Sequence, residues 1–181
     1  GNVPPRGMCG SGLIDLIAVL IELGCIDEGG RLLPPDDVPE TMRRYLTRDD
    51  DGNGFFHLTR EIYLTAQDVR NLQLAKAAVA AGISVLLDAE GMTAERLDGV
   101  YLAGGFGSYL DARSAVKIGM LPFISPDKLR NPGNTALAGA SVMALDTEKI
   151  ACARRIAQCC DYIELSGRAD FAGAFAENIA F

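Results

Sequence analysis

The sequence predicts an α/β fold, a small sheet flanked by helices, and three features carry that prediction. Leu13, Leu16, Ile17, Leu20 and Ile21 recur at helical spacing. A longer helical pattern opens at Thr65 and runs to about Glu90. The short apolar run Gly99 to Ala103 leads into Gly104-Gly105-Phe106-Gly107, as a buried strand ending in a glycine turn would. Helices alternating with isolated short strands form layers in which helices cover a sheet.

In chain order, the first helix is expected over Ser11 to Leu23, with Gly24 as its stop. A polar stretch, Asp27 to Asp51, contains Gly29-Gly30, Pro34-Pro35 and a short helix around Glu40 to Leu46. Phe55 to Leu58 and Glu61 to Thr65 are β-prone segments of a hairpin or ribbon. Thr65-Ala66-Gln67-Asp68 reads as a capping box with Asp in place of Glu, and Gly91 ends the helix it opens. Asp111 to Gly119 and Asn134 to Leu145 are helical with Asp or Asn start signals. Thr147 caps a helix to about Cys160, Tyr162 to Leu165 is a strand, and Asp170 to Ala180 is a terminal helix.

The 181 residues suffice for one domain, 1–181, with its own core, and 49% apolar against 23% charged residues excludes disorder. A formal charge of −7 disfavours nucleic acid and anionic lipid as partners. The most apolar run, Leu13 to Cys25, is broken by Asp15 and Glu22 and is shorter than the roughly 20 residues of a membrane span, so no membrane association is expected. Five cysteines at irregular spacing and a single histidine, His57, disfavour zinc or iron–sulfur ligation within this chain, so no metal residue is assigned. Thiols behaving as small core hydrophobes fit a reducing, cytoplasmic setting. The chain begins at Gly1 rather than Met, as a piece of a longer protein would.

Several segments allow chemistry, each with a plainer alternative. Asp49, Asp51, Asn53 and Gly54 match the opening positions of a calcium loop, but Arg60 stands where a bidentate Glu is required, which favours a solvated acidic turn. His57 has no triad partner at a meaningful spacing and reads as a ribbon histidine. The glycine turn at 104–107 is either structural or a place where backbone amides meet a nucleotide; it lacks the third glycine of a dinucleotide fingerprint, and the chain has no P-loop. Gly10-Ser11-Gly12, just before the first helix, could meet an anion or simply supply an N-cap through Ser11. In Asn131 to Ala140, the small residues Ala136, Ala138, Gly139 and Ala140 favour close helix packing. Gln73 and Lys76, three apart on the long helix, share a face from which they could bond a ribose or adenine, or simply meet solvent.

Taken together, GMCGSGLIDLIAVL, YLTAQDVRNLQLAKAAVAAGI, VYLAGGFGSYLDARSAVKIGMLP, GNTALAGA and YIELS resemble the carboxy-terminal part of the reductive activators of corrinoid proteins, in the actin/Hsp70/sugar-kinase ATPase superfamily. They span nearly the whole chain in family order. The resemblance implies an actin/Hsp70-like ATPase subdomain in which Gly104, Gly105, Phe106 and Gly107 lie against adenosine. Gly10 and Ser11 join the nucleotide site, and Gln73 and Lys76 add polar contacts, with Ala80 where a serine can occur. No catalytic residue is assigned, because the two Asp-Gly hairpins that hold Mg²⁺ and the β/γ-phosphates in the superfamily are not in this sequence.

The implied parent couples ATP binding and hydrolysis to electron transfer from a [2Fe–2S] ferredoxin-type domain to a Co(II) corrinoid, restoring Co(I). The implied partners are the corrinoid protein, the amino-terminal subdomain and the ferredoxin domain, and a homodimer is compatible with this reading. Two alternatives stay open: an activator of a 2-hydroxyacyl-CoA dehydratase, with Cys9 and Cys25 as cluster ligands, and a non-catalytic docking domain.

Overall fold

The computed structural model describes residues 3–181, apart from the side chain of Pro126, so Gly1 lies outside the described residues. Helix α1, Gly10–Glu22, buries Ile14, Ile17, Ala18 and Leu20, the stripe dictated by helical spacing. It starts one residue earlier than Ser11 because Cys9 occupies the N-cap, and Ser11 is buried inside the first turn instead of capping it. Gly24, at φ +66°, turns the chain out of the helix. A bridge between Ile26 and Leu32 and a short α2, Glu40–Arg43, follow.

A three-stranded antiparallel ribbon comes next, in the order β1 (Leu46–Arg48), β2 (Gly54–His57), β3 (Tyr63–Thr65). Leu46, Phe56 and Leu64 stand opposite one another across it and are all buried, so one ribbon face is core. The Asp49 turn joins β1 to β2 and is closed on itself: its carboxylate accepts from the backbone of Asp51 and Asn53 and from the Asn53 amide.

Helix α3, Ala66–Ala89, begins at the expected capping box: Thr65 Oγ1 accepts from the Asp68 amide at 3.1 Å, and Asp68 Oδ2 accepts from the Thr65 amide at 2.9 Å. Gly91, at φ +59°, follows its end. By length and composition α3 is the one helix among the described residues that could cross a bilayer, a property the sequence reading did not register. Here Val69, Leu72, Ala77, Ala81 and Val85 are buried, and its principal partner is helix α8, Ala169–Glu177.

Strand β4, Val100–Ala103, runs into a single helical turn, α4 (Gly104–Gly107), and then α5 (Ala112–Lys117), whose N-cap Asp111 accepts from the amides of Arg113 and Ser114. Strand β5, Leu129–Gly133, returns parallel to β4 with a register shift between Tyr101 and Ala103. The core joins α1, the ribbon, the start of α3 and α5 through Ile17, Leu20, Phe56, Leu64, Leu72 and Ile118.

Helices α6, Thr135–Leu145, and α7, Glu148–Gln158, pack on each other and contain no buried residue. This corrects the expectation of close packing at Ala136, Ala138, Gly139 and Ala140: all four are exposed, and a Cβ at Gly139 would meet nothing within 4 Å. The Asn134 cap is present, accepting from Leu137 N, whereas Thr147 makes no cap bond and Asp146 serves the first turn of α7 instead. Tyr162 to Leu165 is irregular and unpaired; Leu165 packs beside Gly82 of α3. The cysteine expectation is also corrected, since Cys25 is buried but Cys9, Cys159 and Cys160 are exposed.

Candidate functional site

Gly10 and Gly105 are far apart in sequence, yet α1 and the β4–α4 junction bring them together. Cys9, Gly10, Ser11, Gly105, Phe106 and Tyr109 line a single recess of about 370 Å³. Its floor is set by glycine: a Cβ on Gly10 would come within 2.9 Å of Phe106 Cε2, so a larger residue there would push the ring from its place over the helix start. Gly105 differs, because a Cβ there would meet no protein atom within 4 Å and would project into open space.

The other two glycines of the turn serve the backbone. Gly104 is at φ +94°, in the region that glycine tolerates, and Gly107 is buried with its Cβ position 3.1 Å from the carbonyl carbon of Leu102. The turn is held from two sides: Ser108 Oγ donates to Gly104 O at 2.7 Å, and Asn131 Nδ2 on β5 donates to the carbonyls of Gly107 and Ser108 at 3.1 and 3.2 Å. Parallel pairing of β4 with β5 thus carries its clamp with it.

Phe106 and Tyr109 are 54% and 80% exposed, so two aromatic faces stand free at the recess. Exposed rings, a bare glycine and the free amides at the start of α1 fit a flat heteroaromatic ligand carrying an anionic tail. Cys9 stands at the same helix start, its Sγ 3.3 Å from Ser11 Oγ; the bond to Ser11, then the Gly12 amide, holds the thiol below its usual pKa. Tyr109 is not singled out by the sequence, Cys9 is read there only as a core thiol or an alternative cluster ligand, and Asn131 only as the start of a small-residue segment. For Asn131 the signal was available, since Asn-Pro-Gly after a strand-sized gap marks a special backbone site.

The structure does not bring Gln73 and Lys76 to this recess. They share a face of α3, as their spacing requires, but that face points inward and both are about 2% exposed. Gln73 Nε2 donates to Gly29 O at 3.0 Å, and Lys76 Nζ donates to Ala180 O beneath the Phe181 ring, 5.7 Å from its centroid. These bonds tie α3 to the Gly29-Gly30 turn and to the end of the chain, which corrects the expectation that the pair offers its polar atoms to a nucleotide. Burial pushes the Lys76 pKa down.

An amine with a folded pKa below its unfolded one lets the unfolded chain bind the extra proton, so its contribution to stability improves as pH rises toward the unfolded value of about 10.4. Urea unfolding of the protein and of Lys76→Met should show the wild type gaining stability relative to the variant as pH rises toward about 10. A pH-independent difference would contradict the burial account.

Residues 1–181 match the family model described as the C-terminal domain of RACo, the ASKHA domain. The chain is 32% identical over 190 residues to "Corrinoid activation enzyme RamQ" of Eubacterium limosum, covering all of this chain and 32% of that protein. It is 27% identical over 144 residues to "[Co(II) methylated amine-specific corrinoid protein] reductase" of Methanosarcina barkeri, covering 80% of this chain and 23% of that protein. A solved structure, "Reductive activator for corrinoid,iron-sulfur protein", superposes over 99% of this chain and 29% of its own, with a TM-score of 0.85 and 36% identity. The chain thus spans about a third or less of these relatives, and its fold is that of an actin-like ATPase. It belongs to the family of C-terminal ASKHA domains of the reductive activators of corrinoid proteins.

Proposed function

We propose that this chain forms the adenosine-side wall of a nucleotide cleft in an ATP-dependent reductive activator that returns Co(II) corrinoid to Co(I). The supporting observation is the convergence of Gly10-Ser11 and Gly105-Phe106 on one recess that has room for a ligand at Gly105 and two exposed rings beside it. In this reading residues 1–181 are the carboxy-terminal subdomain of a longer cytoplasmic protein. The Mg²⁺ and β/γ-phosphate ligands belong to the amino-terminal subdomain, and the electron comes from a [2Fe–2S] ferredoxin-type domain. The partner is the corrinoid protein.

The chain's own part is to bind and orient the nucleoside. Nucleotide held between two subdomains favours their closure, and closure is the step that can be coupled to a complex in which cobalt is reduced. The dehydratase-activator alternative loses support because Cys9 and Cys25 lie beyond opposite ends of the 13-residue α1, about 20 Å apart by helical rise, too far to ligate one cluster together.

The test is the visible absorption of the Co(II) corrinoid partner mixed with the full-length protein and a reductant. Conversion to Co(I) should require ATP. Conversion at the same rate and extent without nucleotide would leave the recess without the proposed role.

A further inference from the structure

A second recess, of about 410 Å³, lies on the ribbon and shares no lining residue with the glycine recess. Arg44, Tyr45, Thr47, His57, Thr59 and Arg60 line it, and no carboxylate does. Glu61, the acid next in sequence, lines a different recess together with Asp68 and Cys9. Among the described residues the salt bridges are Lys149–Asp146 and Arg168–Asp170, so neither Arg44 nor Arg60 is neutralised by a carboxylate within 4.0 Å.

The hydroxyls here are set up as donors. Arg44 Nη2 donates to Tyr45 Oη at 2.7 Å while its Cζ stacks 4.7 Å from that ring's centroid, which fixes the guanidinium and leaves the tyrosine hydrogen to point elsewhere. Thr59 Oγ1 accepts from the amides of Glu61 and Ile62 at 3.2 and 3.0 Å, which likewise leaves its own hydrogen to donate. Thr47 Oγ1 and His57 Nε2 are paired at 2.8 Å across β1 and β2. Two guanidiniums and two such hydroxyls around one concavity are rich in donors and poor in acceptors. A ligand that satisfies them needs several acceptor oxygens and negative charge.

We infer that this recess binds a phosphate group, either as the free ion or as a monoester on a small molecule. A tetrahedral dianion accepts from donors in several directions at once, which one planar carboxylate does not. The overall charge of −7 repels anions, so affinity here must come from the local donors and not from a general field.

His57 is the sole histidine, and its ring proton resonances report on the recess without ambiguity. Inorganic phosphate, titrated at fixed pH and constant ionic strength against chloride, should shift them saturably. Arg44→Gln and Arg60→Gln should each weaken binding by about tenfold, the scale of a charge-assisted hydrogen bond. Arg44→Lys, which keeps the charge but loses the planar fork, should fall between, and backbone amide spectra check that each variant is folded. Glycerol 3-phosphate binding at least as tightly would point to an ester as the source, and weaker binding of the ester to the free ion. A shift no different from that with chloride would overturn the proposal, as would folded arginine variants that bind phosphate normally. So would a glutamate-rich peptide that saturates the shift where phosphate does not.

Discussion

Gly105→Val in the full-length protein is expected to weaken nucleotide binding by about a hundredfold or more while leaving the fold intact. The two halves of this expectation have separate origins. The fold survives because a Cβ at residue 105 meets no protein atom within 4 Å, and its backbone is not in the left-handed region. Binding fails because the branched side chain fills the space into which the recess opens, between Phe106, Tyr109 and the start of α1. Isothermal titration with ATP and a thermal melt measure the two halves independently. The neighbouring glycines sharpen the contrast, since Gly107 abuts the Leu102 backbone and Gly104 needs its positive φ, so branched residues there should damage the fold itself. Unchanged nucleotide affinity in a folded Gly105→Val protein would remove the site assignment.

The helices were legible because local signals sufficed. The Thr65–Asp68 box, the Gly24 and Gly91 stops and the Asp111 and Asn134 caps each act within a few residues, so nothing distant had to be known. Strands β1 and β5 were not legible. Leu46–Arg48 is three residues long, and Leu129–Gly133 carries Asn, Pro and Gly, which strands disfavour; each is a strand because a partner, β2 or β4, supplies the ladder. Tyr162 to Leu165 failed in the opposite direction: it is strand-like in composition and meets no partner, and Glu164 instead accepts from the Ser166 amide.

The same division holds for the recess. The glycine turn and the α1 start could each be read as an anion or nucleotide contact, with a plain structural role as the alternative, and only the tertiary fold puts Gly10 against Phe106. Gln73 and Lys76 show the limit of a shared helix face, because spacing says that two side chains point the same way and not what they point at. Here that direction is occupied by Gly29 and Ala180.

The central claim, that this chain is one wall of a two-walled cleft, makes a second large prediction. The 181-residue chain alone should fold and bind ATP only weakly, in the millimolar range, about 4 kcal/mol, since one wall desolvates only part of the ligand. It should not turn ATP over, because phosphoryl transfer depends on positioned metal and charge that this reading places in the amino-terminal subdomain. The decisive measurement is phosphate release from Mg-ATP by this chain alone, and by the chain with the amino-terminal half supplied in trans or fused. The account predicts no turnover in the first case and turnover on reconstitution that Gly105→Val abolishes. Turnover by the chain alone, lost in Gly105→Val, would show that it carries its own phosphate and metal groups and would contradict the two-walled cleft.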